Sequence, residues 1–127
     1  MKFTLLIAVL LAGACGTICR WGIYLAVDKV VSTEFPATTL LINIIGSFLA
    51  GLIFVLFKTK FASYAEYAPI VLVGFMGAFT TFSTYALESA RLLTGGAWGH
   101  AVVSILAQNL LGIGAACLGL VCGKAVA

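Results

Sequence analysis

Apolar residues in this chain fall in long unbroken blocks, not at the alternating or every-third-and-fourth spacing of half-buried strands and helices. Phe3 to Val27 contains a single charge, Arg20; Ala37 to Phe57 and Ala68 to Leu87 contain none; Ala97 to Gly123 contains only His100. A helix needs roughly 20 mostly apolar residues to cross a bilayer. The pattern therefore predicts four transmembrane helices, over approximately 3–27, 37–57, 68–93 and 97–123, in a single domain covering residues 1–127. The junctions are short and polar: Asp28 to Pro36, Lys58 to Tyr67 and the Gly95-Gly96 turn. At this hydrophobic length the backbone has to satisfy its own hydrogen bonds, so the predicted class is an all-α membrane protein.

Composition agrees. The chain is 63% hydrophobic and 9% charged, against about 45–50% and about 25% in soluble domains. Lys2, the apolar run after it and Ala12-Gly13-Ala14-Cys15 loosely resemble a signal peptide with a lipoprotein cleavage site. However, the run continues past Cys15 to Val27, which makes a full span. Cys15, Cys19, Cys117 and Cys122 all lie within spans and are expected to be small buried hydrophobes. Cys15 and Cys19 share a helix face, but no neighbouring His, Asp or Glu completes a metal-ligand set.

Four spans put Lys2, Lys58, Lys60 and Lys124 on one side of the membrane and Arg20, Lys29 and Arg91 on the other, 4 against 3 of the 7 basic residues. The positive-inside rule barely separates the two orientations. One fixed orientation and insertion both ways, with antiparallel pairing, both remain open.

Polar groups inside the spans are costly and each needs a reason. Thr39, Asn43 and Ser47 form one ridge of the second span, and His100, Ser104, Gln108 and Gly112 one ridge of the fourth, continued by Ala116, Gly119 and Gly123. Interhelical hydrogen bonding with close small-residue packing explains such ridges; two whole stripes also suit a polar conduit. The third span carries GFMGAFTTFSTY from Gly74 to Tyr85, a run of low helix propensity. A helix break at Gly77 to Thr80 would expose backbone carbonyls near the bilayer midplane, where they suit a cation; an intact helix with hydroxyls bonded back to preceding carbonyls is the other reading. Phe75, Phe79 and Phe82 line the same segment, as packing or as ring edges turned to a small anion. Arg20 falls about 26 Å along the first helix at 1.5 Å per residue. It snorkels to the interface beside Trp21 and Tyr24, or draws anions into a vestibule.

Three ordered segments, Gly16-Thr-Ile-Cys-Arg20-Trp21, Thr39 to Phe48 and Gly74 to Thr84, together resemble the Fluc (CrcB) fluoride channels, and the likeness covers the whole chain. The resemblance implies an antiparallel, dual-topology dimer with two fluoride pathways, each lined by both subunits. It implies a structural Na⁺ at the dimer centre, held by backbone carbonyls that map onto Gly77 and Thr80. Asn43 and Phe82 match the polar and aromatic pore positions; Thr39, Ser83 and Thr84 match hydroxyl-bearing positions, and Ser104 the fourth-span serine. Arg20 and Glu88 also match. Departures are Trp21 for a Tyr, Thr38 for a Gly, His100 and Gln108 for a Tyr and a Ser, and Tyr85 for the second pore Phe.

The expectation is passive, fluoride-selective efflux across the cytoplasmic (inner) membrane, giving fluoride resistance. The pathway is expected to involve Asn43, Phe82, Tyr85, Thr39, Ser83, Thr84, Ser104 and Gln108, with Arg20 at its vestibule. No ATP-binding motif or covalent catalytic constellation is present, so no enzyme and no nucleic-acid partner is expected. Expected partners are fluoride, membrane lipid and a second copy of the chain, or a paralogue in a heterodimer. A proton-coupled small multidrug exporter needs an intramembrane carboxylate; the first span has none and Glu88 lies near the end of the third. A non-conducting tetraspan subunit is the other alternative.

Overall fold

The computed structural model describes residues 3–30 and 34–127. Lys2, counted above in the charge split, and part of the first junction lie outside the described residues. The described elements are all helical: α1 (Phe3–Val27), α2 (Ala37–Lys58), a 3₁₀ turn (Ala62–Tyr67), a π-helical segment (Ile70–Met76), α3 (Gly77–Phe79), α4 (Phe82–Thr94) and α5 (Trp98–Val126). Four helical stretches are long and apolar enough to cross a membrane: Phe3–Val27, Ala37–Lys58, Ile70–Thr94 and Trp98–Val126.

Local chemistry sets their ends. Pro36 and Pro69 stand immediately before the second and third spans, where a missing N–H removes no helical bond. At the far end of α4, Gly96 adopts φ +82°, its N–H bonds Leu93 O and the Ala97 N–H bonds Leu92 O. This paired closure satisfies the last carbonyls and needs a left-handed residue that glycine supplies without penalty.

The most extensive helix contact is that of α2 with α5, and α1 packs chiefly on the π-helical segment. Both contacts depend on missing side chains: a Cβ on Gly119 would collide with the Phe48 carbonyl, one on Gly51 with the Ala116 carbonyl, and one on Gly16 with the Phe75 carbonyl. The small-residue ridge of the fourth span thus brings two backbones together, as membrane helices do when lipid supplies no hydrophobic push. Ile42, Met76 and Phe79 form the buried apolar centre. Outward, Leu10, Ile18, Leu110 and Val121 are exposed, a surface suited to lipid tails.

Two expectations change. Cys15, Cys19 and Cys117 are exposed and Cys122 is half-buried, because the inward ridges are occupied by still smaller residues. The third span does break, but later than expected. Gly77 to Phe79 is helical, and the two extended residues are Thr80 (φ −81°, ψ 162°) and Thr81 (φ −152°, ψ 116°). Thr81 is the N-cap of α4, accepting from Thr84 N at 3.2 Å, a role that threonine fills well. The break also splits the phenylalanine stripe. Phe79 stacks on Phe75 in the packed centre, whereas Phe82 beyond the break is 77% exposed.

Candidate functional site

The broken helix is held open by one side chain from α2. Asn43 Oδ1 accepts from Thr81 N at 2.9 Å, and Asn43 Nδ2 donates to Thr81 O at 3.1 Å. The amide thus pairs with both backbone groups of one residue, as a neighbouring strand would. In an unbroken helix the Thr81 N–H would bond the Gly77 carbonyl and the Thr84 N–H the Thr80 carbonyl. Here those two donors go to Asn43 Oδ1 and Thr81 Oγ1 instead. The Gly77 and Thr80 carbonyls, the pair expected to hold a cation, are therefore among the carbonyls that the break releases from helical pairing, and free carbonyls are the groups such an ion takes. Arg20 reaches toward the same place, its Nη1 making a long contact of 3.5 Å to Thr80 O.

Asn43 Nδ2 also donates to Gln108 Oε1 on α5 at 3.0 Å. Gln108 is buried, and its Nε2 has no hydrogen-bond partner among the described residues. One turn earlier on α5, the Ser104 hydroxyl is also buried and unpartnered. Buried donors left unmet cost about 1–3 kcal/mol each. In native proteins such a group is met by a water or an ion, or is kept for a functional role.

Beside this seam lies a cleft of about 470 Å³ lined by Asn43, Thr80, Phe82, Tyr85, Gln108 and Asn109, among others. Phe82 and Tyr85 meet edge to face, with centroids 5.4 Å apart and planes at 73°. The Tyr85 hydroxyl accepts from Asn109 Nδ2 at 3.1 Å. It is thus engaged by a neighbour that sequence reasoning had not singled out.

Gly77 also lines this cleft, whereas Thr39, Ser83, Thr84, Ser104 and Arg20 do not. Thr39 is fully buried one turn before Asn43, and its hydroxyl donates to Glu88 Oε1 at 2.8 Å while meeting the Tyr24 hydroxyl at 2.6 Å. With Thr39 donating to the carboxylate, Tyr24 is the donor of the second bond. Thr39 lines a different cleft, of about 510 Å³, with Tyr24, Asp28, Glu34, Glu88 and Arg91. Thr38 holds the Asp28 carboxylate there at 2.7 Å, which gives that departure from the family pattern a local role. Glu34 and His100 approach to 3.8 Å, both well exposed. Ser83 is exposed and Thr84 half-buried, both within the α4 cap around Thr81.

Thr81 was missed as a site residue. The signal that could have found it is a threonine just after a poor helical run and just before a new one, the ordinary setting of an N-cap.

A helical chain with four apolar spans and buried polar side chains meeting at a break in the third belongs, by architecture, among small polytopic membrane proteins. Residues 7–120 match the family described as CrcB-like protein, Camphor Resistance (CrcB). The chain is 44% identical over 116 residues to the "Fluoride-specific ion channel FluC" of Desulforapulum autotrophicum, covering 91% of this chain and 93% of that one. It is 42% identical over 118 residues to the protein of the same name from Magnetococcus marinus, covering 93% and 96%. The likeness to that of Sulfurovum sp. is 38% over 124 residues, covering 98% and 97%. The chain belongs to the CrcB family.

Proposed function

We propose that this chain forms a fluoride-selective channel that carries the anion passively across the cytoplasmic membrane and so confers fluoride resistance. The observation that carries the reading is the cleft at the broken helix, whose wall has amides, hydroxyls and aromatic edges but no charged side chain. Fluoride is small and strongly hydrated, so a dry path has to replace water with several weak donors, and a strong site would trap it. Neutral N–H and O–H groups with positive ring edges suit that requirement.

The functional unit is an antiparallel dimer of two copies, or of one copy with a paralogue. Support comes from the 4 to 3 basic split and from Phe82, which stands exposed beside the cleft until something covers it. Asn43, Phe82, Tyr85 and Gln108 line the path in this reading. Ser104 continues it along α5, and Thr39, Ser83 and Thr84 supply hydroxyls toward its ends. Arg20 raises the local anion concentration. A structural Na⁺ at the centre of the dimer would be held by the Gly77 and Thr80 carbonyls, and would add a fixed positive charge without a titratable group. Asn43 keeps the Gly77 carbonyl free by occupying the Thr81 N–H, and the Thr81 hydroxyl keeps the Thr80 carbonyl free by occupying the Thr84 N–H.

The test is fluoride efflux from liposomes containing only this protein, driven by a potassium diffusion potential. Fluoride should leave while chloride stays. Equal chloride loss, or flux only under a proton gradient, rejects the proposal.

A further inference from the structure

The amide chain across the seam has a fixed polarity. Thr81 N is a backbone N–H and can only donate, so the atom it meets at 2.9 Å has to be the Asn43 oxygen. The Asn43 nitrogen then points the other way, and its two protons are both committed, to Thr81 O at 3.1 Å and to Gln108 at 3.0 Å. An N–H donor requires an acceptor, so Gln108 turns Oε1 toward Asn43 and Nε2 away from it. Gln108 is 8% exposed, lines the mid-span cleft, and its Nε2 has no partner among the described residues. The backbone of the broken helix thus sets the orientation of two side chains in series, ending in a buried N–H₂ group without an acceptor.

From this we infer that the anion ligand of this chain is Gln108 Nε2, and that Asn43 is a positioning residue that orients it. The inference takes its ligand, a small desolvated anion, from the channel reading above. It adds a division of labour that reading lacks: Asn43 cannot donate to the anion without abandoning Thr81 or Gln108. Gln108 offers two protons without breaking any bond. The anion gains a donor whose orientation is already fixed by Asn43 and which is already dehydrated, which is where such a group is worth most.

The sequence makes the test unusually direct, because Gln108 is the sole glutamine and Asn43 and Asn109 are the two asparagines. In the full-length protein in lipid bicelles, [¹⁵N]glutamine gives one side-chain amide pair. On titration with sodium fluoride that pair should move downfield and saturate, and sodium chloride at equal concentration should leave it in place. The Asn43 pair, distinguished by labelling asparagine in Asn109→Ser, should shift less. A stationary Gln108 pair, or a larger shift at Asn43, overturns the inference. A Gln108 shift without liposome flux leaves the donor standing and removes the channel; flux without the shift does the reverse.

Two variants read the same point through transport. Gln108→Glu keeps an oxygen for Asn43 but puts an acceptor where the donor was, and Gln108→Met removes both. Each should lower initial fluoride efflux by about a hundredfold, the usual scale for losing one positioned donor, at matched reconstituted protein. If Asn43 were the ligand, Gln108→Met would release one of its protons and keep the flux. Wild-type flux in that variant therefore overturns the assignment.

Discussion

The cleft at the junction of α1 and α2 carries four charged side chains, Asp28, Glu34, Glu88 and Arg91, whereas the cleft at the broken helix carries none. Both are polar and both take a residue from α2, Thr39 in the first and Asn43 in the second, one turn apart. The difference follows depth. Near the end of a span a charge keeps contact with water and headgroups, while nearer mid-membrane its desolvation is costly. In the channel reading proposed above, the neutral cleft is the one suited to a dehydrated anion, since it holds no charge strong enough to trap it.

The sharpest way to break that comparison is Asn43→Ala. It strands both backbone groups of Thr81 and releases Gln108, so fluoride efflux from liposomes should fall by about a hundredfold. Thermal unfolding in detergent should reveal a loss of about 2–4 kcal/mol, as expected when several buried partners go unmet. An Asn43→Ala protein that conducts normally would mean that the neutral cleft is not the path.

Phe82→Ile separates path from fold. Phe82 is largely exposed on the single chain, so its loss should leave unfolding of the chain almost unchanged. Efflux should nonetheless drop by roughly tenfold or more, because an aliphatic group lacks the positive ring edge. Parallel losses of stability and flux would instead mark Phe82 as a packing residue.

Thr39→Val tests the other side of the comparison. The shape is kept, but the bonds to Glu88 and Tyr24 disappear, at a cost of about 1–2 kcal/mol in the same unfolding measurement. Because Thr39 already spends its hydroxyl proton on Glu88, the flux change should stay below about tenfold, smaller than for Asn43→Ala. A larger flux loss than in Asn43→Ala would reverse the ranking of the two clefts.

The smallest effect is expected for Tyr85→Phe. The hydroxyl accepts from Asn109, and its removal keeps the ring edge against Phe82, so selective flux should persist within about threefold, a change worth less than one net hydrogen bond. Abolished flux would show that the phenol proton is an anion ligand and that Gln108 does not act alone.

The four spans, the small-residue contact of the second and fourth helices and the weakness of the third were legible in the sequence. Each is a local consequence of residue type: charge-free length, absent Cβ atoms at helical spacing, and glycines and threonines of poor helix propensity. The sequence also brought together the candidate residues of the seam, since Asn43, Gln108, Phe82 and Tyr85 are the costly or aromatic groups of three spans. It could not say that Thr39 and Asn43, neighbours on one ridge, serve different clefts, nor that Phe82 parts from Phe79.

Those outcomes depend on partners far away in the chain. The break falls at Thr80–Thr81, at the end of the expected Gly77 to Thr80 stretch and one residue beyond it, because Asn43, 38 residues from Thr81, pairs with its backbone while Thr81 caps the helix that follows. The π-helical turn before it has no sequence signal; it accompanies the close approach of Gly74 to the α1 backbone, where a Cβ would lie 2.8 Å from Val9 O. Residue type alone fixed which groups had to be satisfied inside the bilayer. Which donor met which acceptor was decided by tertiary structure, because a side-chain amide can face either way until a backbone group of fixed polarity chooses for it.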